Sequence, residues 1–372
     1  MATFLHIGLY ATLGHTKQAV EKACKNIKII LCDHNMKRQI KIRCEEIYPH
    51  IHRIILPLPG RQPGPVNAYL FTGAQTTLLD TGTSRTARHL EESLRQIGVG
   101  FPDIDRIILT HGHIDHYGAA RRVVGRSSGR AVVSAHWEDR PVIESGTEIS
   151  NRQFSKFYRL MGVPLVFELL FYGVGLVFSS LAENCRVDLR LSDGEKIQVG
   201  NYEATIISTP GHTRGSICLY LEKEGILFSG DHILGHITPN AFVMLESDFD
   251  IPRRMSQVEF YDSLRKIESL APRIVYPAHG NPITDLSETA AMYREQFSLR
   301  RGKILAILKK GESTVYRIAR RLFPEIGGKR LPLEIFLAVS EVFTHLQALE
   351  KDGMVVPHVR RGARYYSLKS QD

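Results

Sequence analysis

The chain has 372 residues, 43% of them hydrophobic and 23% charged, a balance that excludes disorder along most of its length and leaves room for one large domain and a small one. Its net charge is +9, and residues 301–372 hold 14 Lys and Arg against 7 Asp and Glu, so an anionic partner such as nucleic acid competes there with a merely solvated basic surface. Five cysteines (Cys24, Cys32, Cys44, Cys185 and Cys218) make no disulfide framework, and the opening residues lack a signal-peptide layout, so a reducing, cytoplasmic location is expected.

Residues 1–45 read as a basic extension, and the His and Cys scattered in it match no tight zinc spacing. From Tyr48 onward, short aliphatic or β-branched runs predict strands at His52–Leu58, Asn67–Thr72 and Thr76–Leu79, the last ending in Leu79-Asp80-Thr81-Gly82. Ala87, Leu90, Leu94 and Ile97 recur at helical spacing and predict a helix over Arg85–Ile97. Strands follow at Ile104–Leu109 and Ala131–Ser134, separated by a His-rich turn and a helical stretch. Residues 149–182 then change character and predict a helical insertion. Its apolar run is broken by Glu168, and the charge-free remainder, Leu169–Ala182, is shorter than the roughly 20 residues that cross a bilayer; a buried helix is expected, and no membrane span. Strand rhythm returns at Glu195–Val199, Glu203–Ser208, Ile217–Leu221, Gly225–Phe228 and Ile274–Tyr276, which predicts an α/β architecture with helices outside two sheet-forming halves. The C-terminal part reads as three helices and a hairpin: Ser313-Thr314 caps Val315–Phe323, Leu333–Lys351 follows, and strands Met354–Val359 and Arg364–Leu368 flank Arg360-Arg361-Gly362-Ala363.

The chemistry is concentrated in Thr110-His111-Gly112-His113-Ile114-Asp115-His116. Three imidazoles and a carboxylate in six residues suit a borderline metal that takes N and O donors, zinc first. In a strand-like turn His111 and His113 would point one way, leaving Asp115 and His116 for a second ion. Three further donors each follow an apolar run: His212 in Thr-Pro-Gly-His, Asp231 in Ser-Gly-Asp and His279 in Pro-Ala-His-Gly. Taken singly, His212 and His279 read as hydrogen-bonded residues and Asp231 as a turn residue. Beside the His111–His116 cluster, donors that all leave strand ends read as one site, because such ends gather on one side of a layered α/β fold.

The pattern His-x-His-x-Asp-His, with Thr-Pro-Gly-His-Thr-x-Gly-Ser, Phe-Ser-Gly-Asp and Tyr-Pro-Ala-His-Gly in that order, resembles the metallo-β-lactamase superfamily over about Ile47–Thr284. That resemblance implies a four-layer αββα sandwich with a dinuclear site at one edge. It implies that His111, His113 and His212 hold one Zn2+, that Asp115, His116 and His279 hold the other (Fe or Mn being alternatives), and that Asp231 bridges them. Asp80 matches the supporting carboxylate that orients a ligand imidazole. The whole chain is similar to bacterial metallohydrolases with a C-terminal winged-helix domain, related to the endoribonuclease β-lactamase-like protein 2. This gives expected domains at 1–45, 46–298 and 299–372. Ala119 stands where many relatives have a second Gly, and the insertion is longer than in the endoribonuclease.

Such a pair of ions would share a water and bring its pKa to about 7, with Asp115 as the catalytic residue that orients the nucleophile. The first expectation is a hydrolase acting on an ester or thioester of a small molecule, similar to hydroxyacylglutathione hydrolase. The alternatives are an endoribonuclease cleaving single-stranded RNA, an iron-dependent oxygenase of the same fold, and a DNA-binding regulator. The full donor set weighs against the regulator, and a basic winged helix would favour nucleic acid, contacted through Lys329, Arg330, Arg360, Arg361 and Arg364. The apolar insertion reads either as a lid over a partly apolar substrate or as a cover for the sandwich core.

Overall fold

The computed structural model describes residues 43–58, 63–127, 129–146, 151–168, 181–245, 251–326 and 331–369. A seven-stranded sheet runs in chain order: β1 (Arg43–Tyr48), β2 (Ile51–Leu56), β3 (Val66–Phe71), β4 (Thr77–Leu79), β5 (Arg106–Leu109), β6 (Val132–His136) and β7 (Leu189–Leu191). Its first four strands are antiparallel, and β4 through β7 are parallel. A five-stranded sheet has β8 (Lys196–Val199), β9 (Tyr202–Ser208), β10 (Ile217–Leu221) and β11 (Ile226–Gly230) antiparallel, with β12 (Ile274–Pro277) joined parallel to β11 at its edge.

Two-residue alternation stacks these sheets. On β3, Tyr69 and Phe71 enter the core between the sheets, while Val66, Ala68 and Leu70 enter the core under the outer helices. On β10, Ile217, Leu219 and Leu221 face inward with Phe228 of β11, and Cys218 and Tyr220 face the helices Ser256–Leu270 and Leu286–Leu308. Each central strand is therefore buried on both faces, which is why it reads as a continuous apolar run rather than an alternating one. The result is the αβ/βα sandwich.

Three expectations need correction. Strand β1 begins at Arg43 and pairs with β2, so the expected extension overlaps the sheet; residues 1–42, with Cys24, Cys32 and His34, lie outside the described residues. Helix Leu286–Leu308 runs unbroken through the expected boundary at 298/299. The insertion's described helix, Asn151–Leu160, does not cover the sandwich core: Phe154, Phe157, Tyr158 and Met161 pack with Ile304, Ile335, Val339, Phe343 and Tyr366 in a separate core. Residues 169–180, where a buried helix was expected, lie outside the described residues. Among the described residues, no helix is long and apolar enough to cross a membrane.

The C-terminal elements sit close to their expected places. Thr314 caps helix Val315–Leu322 by accepting from Arg317 N at 3.3 Å, helix Leu331–Lys351 follows, and strands Val355–Arg360 and Ala363–Leu368 pair antiparallel beside Ser313–Thr314. Arg361 and Gly362 both have positive φ, as a two-residue hairpin turn requires.

Candidate metal centre

The donors arrive from the ends of four strands. His111 follows β5, and His113 caps a single helical turn, Ile114–Tyr117, that carries Asp115 and His116. This turn replaces the extended geometry expected from sequence, and it lets residues two and three positions after His113 face back into the same space. Asp231 leaves β11, His279 leaves β12, and His212 follows β9 through Pro210 and Gly211. Gly211 has φ +131°, and a Cβ there would stand 2.5 Å from Phe260 Cα, so this turn accepts only glycine without displacing the helix beneath it.

These residues form two groups, His111–His113–His212–Asp231 and Asp115–His116–His279, each with its ligand-type atoms within 4.8 Å of one another. In the first group His113 Nδ1 lies 3.0 Å from both His111 Nε2 and His212 Nε2. In the second, His279 Nε2 is 3.5 Å from Asp115 Oδ2, and His116 Nε2 is 3.7 Å from Asp115 Oδ1. Asp231 reaches both groups. Its Oδ2 is 3.4 Å from His212 Nε2 and 3.9 Å from His111 Nε2, while its Oδ1 is 3.4 Å from His279 Nε2 and 3.6 Å from His116 Nε2.

Neighbouring donors on a tetrahedral zinc ion stand about 3.3 Å apart, given Zn–N bonds near 2.0–2.1 Å. The spacings above bracket that value. Buried polar atoms normally have partners, yet His116 Nε2, His279 Nε2 and Asp231 Oδ1 are buried together without a hydrogen bond. Five imidazoles and two carboxylates with converging donor atoms, three of them unpaired, fit a pair of divalent cations.

The far side of three of these rings is tied down. His116 Nδ1 bonds Asp80 Oδ2 at 2.8 Å, His279 Nδ1 the carbonyl of Pro65 at 3.0 Å, and His212 Nδ1 the carbonyl of Asn240 at 2.9 Å. Asp80 is buried with φ +58°, and its carboxylate also accepts from Thr110 N and Thr110 Oγ1, both at 2.8 Å. One carboxylate thus ties the end of β4 to the His-rich turn.

Electrostatics follows from crowding. Burial and the neighbouring imidazoles hold His111 well below the ordinary imidazole range, and burial with His212 alongside brings His113 to about 3. Burial also opposes charge on His116 and His279, but the surrounding carboxylates outweigh it and raise both. Burial pushes Asp231 and Asp115 upward; the adjacent rings overcome it, taking Asp231 well below the carboxylate range and Asp115 to about 2. Any proton on the facing nitrogens of His116 and His279 would compete with a divalent cation for the same place.

Sequence reasoning missed Asp139. It is buried, and its Oδ2 accepts from Gly112 N at 2.7 Å and Thr213 Oγ1 at 2.6 Å, while its Oδ1 accepts from Gly215 N at 2.8 Å. It therefore clamps the His111–His113 loop to the His212 loop. Asp139 lies three residues past the end of β6, and no motif around it marks it in the sequence. Phe242 was also missed; its ring meets those of His113 and His212 edge-on at 5.3 and 5.4 Å.

A pocket of about 250 Å³ opens on His113 and His212. Its wall is mainly apolar: Val142, Phe242, Val243, Met244 and Leu245, with Phe154 from the insertion and Phe336 from helix Leu331–Lys351. A larger polar groove elsewhere, lined by Arg and Glu of helices Ala87–Gln96 and Ala120–Arg126, holds no donor of either group.

Of the basic candidates, Arg360, Arg361 and Arg364 lie on the C-terminal hairpin, and none of these three lines this pocket. Arg360 pairs with Glu312 at 2.8 Å, Arg364 with Glu350 at 3.0 Å, and Arg361 stands at the hairpin tip; Lys329 and Arg330 lie outside the described residues.

Comparison with known proteins agrees with this geometry. The model of the family described as "Metallo-beta-lactamase superfamily" matches residues 61–279. The probable metallo-hydrolase YqjP of Bacillus subtilis is 29% identical over 82% of this chain and 93% of its own. The beta-lactamase-like protein 2 homolog of Caenorhabditis elegans is 26% identical over 80% and 85%. The atrochrysone carboxyl ACP thioesterase of Aspergillus fumigatus is 23% identical over 84% and 79%. The crystal structure of a metallo-beta-lactamase family protein from Thermus thermophilus superposes with a TM-score of 0.73 at 26% identity, covering 87% of this chain and all of that one.

Proposed function

The chain belongs to the metallo-β-lactamase superfamily, and from that premise we propose that it is a dinuclear, zinc-dependent hydrolase that cleaves an ester or thioester bond of a small acyl substrate. The observation that carries the substrate class is the apolar pocket opening on His113 and His212. A site for a polyanionic strand would be expected to present Lys and Arg along its groove. Here the wall is largely aliphatic and aromatic, and Arg214 is the one Lys or Arg among the described residues that line it. The relative named as a thioesterase supports the same choice of bond.

In this reading His111, His113 and His212 would hold one cation, Asp115, His116 and His279 the other, and Asp231 would present one oxygen to each. When bound, the cations supply Lewis acidity and bring a water to ionise near neutral pH. The chain's own contribution is orientation. Asp115, kept ionised by His116 and His279, accepts a hydrogen bond from the attacking water and aims its lone pair. Asp80 fixes His116, and Asp139 fixes the two loops that carry the first group. The pocket wall holds the acyl group and excludes water from the side of His113. We further propose that a winged-helix-like unit follows the catalytic domain, helix Leu286–Leu308 joining the two, on the strength of its helix–helix–hairpin order and third strand Ser313–Thr314.

The test offers purified protein a panel of acyl thioesters and esters and an unstructured RNA, with and without chelator, alongside metal analysis. Thioester or ester turnover that needs metal and falls by about a hundredfold or more in Asp231→Asn is the expected result. RNA cleavage abolished by Asp231→Asn, with no acyl turnover, would replace this reading with the endoribonuclease one.

A further inference from the structure

The pocket is not made by the sandwich alone. Helix Leu331–Lys351 contributes Phe336, whose ring lies 5.9 Å from that of Phe154 and stacks on Tyr158 at 6.5 Å and 11°. Four residues on, Ser340 Oγ accepts from Val243 N at 2.6 Å, and Val243 lines the same pocket. Further along, Gln347 Nε2 donates to the carbonyls of Pro252 and Arg254 at 2.9 and 3.2 Å. Ser340 and Gln347 are both buried, so these are tethers shielded from water rather than surface contacts. They fix both described ends of the segment that begins just after Asn240, the residue whose carbonyl holds His212. One C-terminal helix therefore shapes the pocket wall directly and holds the strip that forms another part of it.

We propose that the C-terminal unit is a part of the substrate site: Phe336, backed by Phe154, is the specificity-determining stop that limits the length of the acyl chain, and Ser340 is a positioning residue for the Phe242–Leu245 strip. This rests on the acyl-hydrolase reading above. Straight alkyl chains entering an apolar pocket gain affinity about fourfold per added methylene until they meet a stop. The wild type has such a stop at Phe336. Trimming that ring moves it outward, and enlarging it moves it inward.

The experiment measures binding of straight-chain alkyl carboxylates of increasing length to the full-length protein by calorimetry, and in parallel the chain-length profile of acyl-thioester turnover. Phe336→Ala is expected to carry the affinity rise two or three methylenes further and to raise the long-to-short kcat/KM ratio at least about fivefold, whereas Phe336→Trp ends the rise earlier. Phe336→Leu takes over if the alanine variant does not fold. Ser340→Ala is expected to raise KM more than it lowers kcat, with Ser340→Thr restoring it. A break point at the same length in wild type and both Phe336 variants, or no break in any, overturns the proposal. Absence of acyl turnover with the Phe336-dependent break intact overturns the acyl-hydrolase reading and leaves the pocket assignment standing.

Discussion

At the scale of single residues, the donor set was legible because its chemistry is compressed into short motifs, and of its supports Asp80 was legible for the same reason whereas Asp139 was not. Asp139 shows the difference: an isolated carboxylate after Trp137-Glu138 carries no spacing signature, and only the fold brings Gly112, Thr213 and Gly215 to it. Removing it in Asp139→Ala strands two buried donors, Gly112 N and Gly215 N, each costing about 1–3 kcal/mol, so a loss of about 2 kcal/mol or more is expected in urea unfolding, together with weaker metal retention. Asp139→Asn keeps an acceptor and should lose less. The rings of the second group make a separate prediction. His116 and His279 hold protons more firmly than ordinary imidazoles because Asp231 and Asp115 face them, and a cation must expel those protons to bind. Metal affinity should therefore fall as pH drops from about 8 to about 6, with proton release on binding, counted by calorimetry in buffers of different ionisation heat. An affinity flat across that range would remove these two rings from the ligand set.

At the scale of elements, strands and the C-terminal helices were readable from period and caps, and errors arose where packing overrode local pattern. The turn Ile114–Tyr117 is helical although its sequence reads as a strand-end loop, since His113 supplies an extended cap and the donors can converge only if the chain coils. Strand Arg43–Tyr48 hides in a basic, polar stretch because it is an edge, paired on one side only. The turn before His212 is the element with least tolerance. Gly211→Ala combines φ +131° with a contact 2.5 Å from Phe260 Cα, so we expect a loss of about 2 kcal/mol or more and an enzyme depleted in metal, read by thermal unfolding and metal analysis of the same sample.

At the scale of the whole molecule, composition drew attention to a basic C-terminal tail, but charge counts do not reveal pairing. Arg360 and Arg364 answer Glu312 and Glu350, and the unit's apolar side closes on the insertion instead. No periodicity could announce that two segments more than a hundred residues apart share a core. Because Phe154, Tyr158, Val243 and Val339 belong to one cluster, the chain should unfold in urea as a single cooperative step. Ending it after residue 298 cuts helix Leu286–Leu308 and bares that cluster. Such a fragment is expected to aggregate and lose metal-dependent turnover, whereas a fragment that stays monomeric and active would show the C-terminal unit to be an appendage.

The parallel ends of β4, β5, β6, β11 and β12 carry Asp80, His111, Asp139, Asp231 and His279, so one rim of the sandwich is committed to chemistry. The hairpin Glu222–Gly225 joins β10 to β11 at the other end of β11 from Asp231, with Glu222 and Lys223 exposed. That rim is a natural attachment point. A fluorescent reporter or an affinity handle spliced there would travel with the protein while leaving its working edge untouched.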